Sequence, residues 1–255
     1  MVTGHGEAVA TREVYRIAPG RLRTRRMGRR TLLRVVLCVV ALAVIVANTW
    51  AWRSSPGPVP PANSALEALE TLAINESTPH AAADYERDRF GAAWHDVDEN
   101  GCDTRNDILV RDLELFAYAD EQSACVVRSG TLDDPYTGTT IEFVRGVETS
   151  AKVQIDHVVA LGDAWSNGAA GWDAALRREF ANDPLNLIAT DGAANAAKGS
   201  RDASEWLPPS LAFRCPYVAR QIAVKVSYEL AVTFEELEAM REVLATCPAE
   251  PLPRE

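Results

Sequence analysis

Apolar and polar positions along the chain follow several different patterns, and the changes between them divide it. Residues 35–47 are apolar without a break, and the stretch continues through Asn48, Thr49, Trp50, Ala51 and Trp52. A helix rises about 1.5 Å per residue, so residues 32–52 would just span a bilayer core of roughly 30 Å. Residues 54–63 (SSPGPVPPAN) read as an extended spacer. Leu66, Leu69 and Leu72 share one face of a short predicted helix over 64–72. Residues 85–93 read as helical, and 96–106 (DVDENGCDTRN) as polar and turn-rich. Residues 108–115 alternate in part. Residues 125–128 and 139–145 read as strands around the turn Asp133–Gly138, giving a hairpin. Residues 153–158 form a further apolar-rich strand. The period then becomes helical over 162–167 and 172–180. A short strand at 187–189 and a short helix at 192–198, ended by Gly199, come next. Residues 211–230 and 234–246 are helical, the latter opened by a capping box of Thr233 and Glu236. Strands come first and helices after, so the predicted class is α+β.

Charge sharpens the division. Residues 1–53 hold ten Arg and no Lys against Glu7 and Glu13, which leaves 16 basic against 34 acidic residues in 54–255. Arg21, Arg23, Arg25, Arg26, Arg29 and Arg30 precede the apolar run. Positive flanks stay cytoplasmic, so the C-terminal part is expected outside, either on a signal anchor or released after signal-peptide cleavage. The expected organisation is a basic tail (1–31), the apolar segment (32–52), a linker (53–80) and one domain (81–248). Cys38 lies in the apolar run, which leaves Cys102, Cys125, Cys215 and Cys247. An even number in an exported domain implies two disulfides. Cys102–Cys125 and Cys215–Cys247 each bracket a compact segment. A zinc site is disfavoured by the absence of CxxC spacing and of a Cys/His cluster.

Three polar features fall close together. Asp156 and His157 follow residues 153–155 and precede Val158 and Val159 on the strand, where adjacent side chains point to opposite sides. Asn186 sits between apolar neighbours where a loop becomes a strand. Asn195 and Lys198, three apart on a helix, share a face. Each has an ordinary structural reading: an Asp orienting a His, an Asx turn, a solvated helix face.

Their order is more specific than any one of them. The stretch DHVVALGDAW…FANDPLNLIATDGAANAAKGSRDASEWLPP resembles the HNH, or ββα-metal, nucleases. It is most similar to the secreted type related to the C-terminal domain of GmrSD restriction endonucleases. DTRND at 103–107, DPYTG at 134–138 and the four cysteines add to the resemblance. It implies a ββα-metal core with a flanking hairpin and C-terminal helices. It further implies a metal-dependent endonuclease in which His157 is the general base, with a proton affinity suited to neutral pH. Asp156 and Asn195 would hold the metal, with Asn in the family's third position where His is common. Asn186 would orient His157. Lys198 and Arg201 would contact phosphate, and Arg105 is a further nucleic-acid contact, set against a plain capped turn at 103–106. Oxygen ligands favour Mg²⁺, with Mn²⁺ as substitute, and no small-molecule cofactor is implied. The expected partners are nucleic acid, DNA rather than RNA, and a membrane through the N-terminal segment.

Acidity opposes this reading, because a body near −18 repels nucleic acid at long range. Two alternatives stand beside it. One is an inactive HNH-fold binding module. The other is a cell-wall hydrolase, for which no convincing carboxylate pair stands out.

Overall fold

The structure is a computed structural model that describes residues 64–76, 84–120, 124–147 and 149–253. The basic tail and the apolar segment 32–52 lie outside the described residues. Among those described, no helix is long and apolar enough to cross a membrane.

The chain is a mixed α/β structure of two small antiparallel sheets and several helices. After α1 (Ala65–Leu69) and a 3-10 turn (Arg87–Phe90) come α2 (Thr104–Asp112) and strands β1 (Glu114–Tyr118), β2 (Val127–Asp133) and β3 (Thr140–Val144). These strands form one sheet in the order β1-β2-β3. Strand β4 (Val153–His157) then leads into α3 (Leu161–Ser166) and α4 (Ala174–Asn182). Strand β5 (Leu187–Asp191) pairs with β4, opposing Val153 to Asp191 and His157 to Leu187. Helix α5 (Gly192–Lys198) follows without a break, and α6 (Arg214–Ser227) and α7 (Phe234–Leu244) close the chain.

The hairpin, the β4 strand and the later helices match the periodicity, whereas the partly alternating stretch 108–115 divides between α2, which runs through Asp112, and the start of β1 at Glu114. Asp103 accepts from the Asn106 amide and caps a helix through Asp112. Ile108 and Leu109 are both buried on it, which a half-buried strand does not allow for neighbours. Residues 85–93 are helical only over the single 3-10 turn. The capping box at Thr233 is half formed. Thr233 Oγ1 accepts the Glu236 amide, but the Glu236 carboxylate turns inward to Lys225. Ser64–Leu69, within the span expected as linker, packs Ala65 and Leu69 fully buried against α6 and α7.

Three apolar clusters hold these elements. One joins α1, α6 and α7 and includes Tyr136. A second is aromatic: Phe90, Trp165 and Phe180 meet with ring centroids 6.1–6.2 Å apart. The third lies between α2, the three-stranded sheet and the β4–β5 pair. Both expected disulfides are present, Cys102–Cys125 beside the start of α2 and Cys215–Cys247 joining α6 to the end of α7. Closing loops of this length constrains the unfolded chain by about 3 kcal/mol each.

A buried charge network lies at the centre. Lys225 on α6 is fully buried, with Asp163 of α3 at 3.0 Å and Glu236 of α7 at 2.8 Å. Burial alone would lower the Lys225 pKa, but the two carboxylates outweigh it and hold the ammonium charged. Removing one partner of such a network strands the others. Lys225→Met is expected to cost about 3–5 kcal/mol, read as a lower urea midpoint at unchanged slope. The triple variant Lys225→Met, Asp163→Leu, Glu236→Leu should recover most of that loss; equal destabilisation of both would contradict the account.

Candidate active site

Strand β4 ends in Asp156 and His157, and alternation sends their side chains to opposite sides. Both are buried, at 6% exposure each, so each must find partners. The Asp156 Oδ2 accepts the Tyr136 hydroxyl at 2.6 Å, and Lys198 Nζ lies 3.2 Å from Oδ1 and 3.1 Å from Oδ2. Lys198 also donates to the His157 carbonyl at 2.8 Å. Burial raises the Asp156 pKa, while Lys198 and the Tyr136 hydroxyl pull it back. Burial also pushes the Tyr136 hydroxyl well above its usual value, with the Asp156 charge adding to the effect.

His157 faces the other way. Its Nε2 lies 2.8 Å from the Ala181 carbonyl oxygen. A carbonyl only accepts, so Nε2 carries the proton and Nδ1 is left as the basic nitrogen. The indole of Trp94 lies nearly parallel to the ring, at 12° and 6.4 Å between centroids. Burial lowers the His157 pKa to about 3; the Ala181 bond opposes this, and the Arg87 and Lys198 charges add to it. The ring is therefore neutral at neutral pH.

Asn186 is fully buried and acts on the backbone beyond His157. Its Oδ1 accepts the Val159 amide at 2.8 Å, its Nδ2 donates to the Val159 carbonyl, and its own carbonyl accepts the Val158 amide. The ring of His157 thus takes its partner from Ala181, while Asn186 fixes the turn that follows. Two arginines secure the loop that carries Asn186: Arg111 and Arg220 both donate to the Pro184 and Leu187 carbonyls.

Helix α5 lies beside both strands because Gly192 permits it. A Cβ there would fall 2.0 Å from the Ala151 carbonyl oxygen. The helix presents Asn195, whose Nδ2 donates to Gln154 Oε1 at 2.8 Å, and it ends at Gly199 with φ +59°.

These elements enclose a polar cleft of about 240 Å³, lined among others by Asp156, His157, Asn195, Ser200, Tyr85 and Arg87. A second, of about 90 Å³, lies on the other side of His157, with Arg87, Phe90, Trp94, Ala181 and Asn182 in its walls. A larger cavity of about 600 Å³, near Arg111, Phe213 and Arg220, contains no His or Asp and none of the site residues.

Asp156, His157 and Asn195 thus share one cleft, with Asn186 behind it. The cations expected on phosphate are placed otherwise. Lys198 is fully buried in its pair with Asp156. Arg105 donates to the Val153 carbonyl, at the opposite end of β4 from His157, roughly 13 Å away at strand spacing. Arg201 is exposed and bonds the Ala197 carbonyl at the end of α5. Four contributors escaped the sequence reading: Tyr136, Gln154, the Ala181 carbonyl and Arg87. DPYTG was visible as a turn, yet its tyrosine reaches a carboxylate 20 residues away. Asp134 sets that reach, since its carboxylate accepts from the Tyr136 and Thr137 amides, from Thr190 Oγ1 and from the Asp191 amide.

A protein from Arthroderma benhamiae described as an uncharacterized secreted protein is 34% identical over 217 residues, covering 84% of this chain and all of that protein. No solved structure matches significantly. The family model described as the C-terminal domain of GmrSD restriction endonucleases matches residues 103–243, which include β4, β5, α5 and every site residue except those on the segment 84–94. The chain belongs to the family of the GmrSD restriction endonuclease C-terminal domain.

Proposed function

We propose that the chain is a metal-dependent HNH-type endonuclease that hydrolyses phosphodiester bonds of nucleic acid, DNA in the first instance, outside the cytoplasm. One observation carries the reading. A neutral imidazole, anchored at Nε2 by the Ala181 carbonyl, borders the same cleft as one carboxylate and one side-chain amide. The three stand on an antiparallel strand pair followed at once by a helix, in the order β4, β5, α5. That succession is what a ββα-metal core requires. The secreted description of the Arthroderma protein and the two disulfides support an extracytoplasmic location.

In this reading His157 Nδ1 removes a proton from the attacking water. Ala181 fixes the tautomer, and Asn186 holds the chain beyond the ring so that the nitrogen keeps its aim. Burial favours the neutral base, and an arriving phosphodiester anion would stabilise the imidazolium that forms. Lys198 is a positioning residue, holding Asp156 and the His157 carbonyl together.

The donors fit a divalent metal held by few protein ligands. A carboxylate offers about four lone-pair sites. Tyr136 and Lys198 take two on Asp156 Oδ2 and one on Oδ1, leaving one on Oδ1. The Gln154 bond occupies the nitrogen of the Asn195 amide and leaves its Oδ1 as the second donor. Two oxygens with water in the remaining positions is the habit of Mg²⁺, with Mn²⁺ a substitute. Bound there, the metal would stabilise charge on the phosphate and the leaving oxygen. Neither group of clustered acidic or sulfur side chains elsewhere competes for this role. Among the described residues, Cys215 and Cys247 are joined as a disulfide beside Glu250, and in the cluster of Asp163, Asp202 and Glu236 the first and last are paired with Lys225.

The full chain with plasmid DNA and Mg²⁺ should cleave, and EDTA or His157→Ala should each reduce the rate by at least about 100-fold, the range for losing a general base. Folded protein that cleaves neither DNA nor RNA with any divalent metal would overturn the reading in favour of a binding module.

Burial of the base has a further consequence. The base works deprotonated, so activity is lost as pH falls through its pKa. In the free enzyme that pKa lies near 3, well below the usual 6.5. The pH profile of kcat/KM should therefore stay flat down through 6.5 and decline only well below it. An acid limb centred at 6.5 or higher would show that the ring is solvated during turnover.

A further inference from the structure

The cleft needs a group to hold the substrate's negative charge, and the cations expected there are committed elsewhere. Lys198 is fully buried on Asp156, and Arg105 bonds the Val153 carbonyl. Of the described residues lining the two clefts that include His157, Arg87 alone is a Lys or Arg, and it lines both. Its side chain is exposed, and among the described residues it forms no ion pair; it interacts electrostatically with the Tyr85 hydroxyl. Its position is built. The 3-10 turn that carries it ends in Phe90, which is 2% exposed and packed between Trp165 and Phe180. The neighbouring cations are used differently, since Arg89 and Arg177 lie over the Trp165 ring, 5.5 and 5.7 Å from its centroid.

A second observation concerns the smaller cleft. Asn182, 1% exposed, lines it, and its Nδ2 donates to the Arg178 carbonyl at 2.8 Å. Its Oδ1 is buried and receives no donor. A buried acceptor without a donor carries a free-energy cost that an incoming N–H or O–H would relieve.

We propose that Arg87 and Asn182 form a nucleotide subsite beside the scissile bond, in which Arg87 grips a phosphate of the substrate strand and the Asn182 carbonyl accepts a hydrogen bond from the adjoining nucleotide. The inference rests on the nuclease reading. It adds that phosphate recognition comes from residues 84–94, a segment before the matched family region 103–243. A guanidinium suits the task because it forks onto phosphate oxygens and stays charged at any working pH.

Binding separates this idea from the nuclease reading. The full chain in EDTA is titrated with a short fluorescein-labelled single-stranded DNA over a series of KCl concentrations. Arg87→Ala should weaken binding at least about tenfold at low salt, the loss of a charge-assisted contact. It should also reduce the slope of log K against log salt by about 0.7, one phosphate on a single strand. Arg87→Lys should restore the slope but not the full kcat/KM. Asn182→Leu should weaken binding severalfold with the slope unchanged, and Arg128→Ala, exposed on β2, should change neither. An Arg87→Ala variant with wild-type slope and wild-type KM would overturn the phosphate assignment, and unchanged binding by Asn182→Leu would remove the second half of the subsite. Cleavage by the wild type with those results would leave the nuclease reading standing. Loss of the slope in Arg87→Ala with no cleavage by the wild type would do the reverse.

Discussion

The site depends on one buried carboxylate. Asp156 is held from one side by the Tyr136 hydroxyl and from the other by the Lys198 ammonium, and each partner arrives on a different element. Tyr136 comes from the β2–β3 turn, Lys198 from the last position of α5, and Asp156 itself from β4. An unpaired carboxylate at this depth would neutralise or unfold its surroundings. The hairpin, the strand pair and the helix therefore have to assemble in one arrangement. Lys198 extends the constraint to the next residue through the His157 carbonyl. The backbone that carries the imidazole is thus held by the same lysine that satisfies the acid beside it, while the ring itself is aimed by the Ala181 carbonyl.

Around this pair the structure places charges in layers. Lys225 with Asp163 and Glu236 lies in the interior between α3, α6 and α7. Asp134 joins the hairpin turn to β5 through hydrogen bonds alone. Arg111 and Arg220 satisfy the carbonyls of the loop before β5. Each network pins a backbone segment next to the cleft, so the site inherits rigidity from groups that never touch it.

Local features of the fold were legible in the sequence. The strand ending in Asp156-His157, the helix 192–198 with its Gly199 stop and the cap at Thr233 all declare themselves within a few residues. So did the disulfide pairing, since each pair encloses a short loop. What failed was either ambiguous in period or distant in sequence. Residues 108–115 alternate only in part because they span the end of α2 and the start of β1, and the Asp103 cap that opens the helix lies outside that stretch. Lys198, three residues from Asn195 on a helix, reads in sequence as a phosphate contact. Its ammonium instead finds Asp156 from 42 residues away, a pairing that no helical period encodes. The Ala181 carbonyl is a backbone group and has no signature at all. Arg87 lay in a segment whose basic residues had no periodic reason to be singled out.

Acidity of the body and the single cation at the cleft act on a polyanion over different distances. The net −18 of residues 54–255 acts over a Debye length, about 8 Å at physiological salt. Arg87 acts at contact, over a distance shorter than the screening length. Salt screens the first more than the second, so approach of nucleic acid becomes less unfavourable as ionic strength rises, while the held phosphate loses part of its grip. The two trends oppose each other, which favours an intermediate ionic strength for a nuclease built this way. Under the proposed nuclease reading, an acidic chain needs few cations to hold a backbone: they need only stand where the substrate enters, and Arg87 borders both clefts that His157 lines.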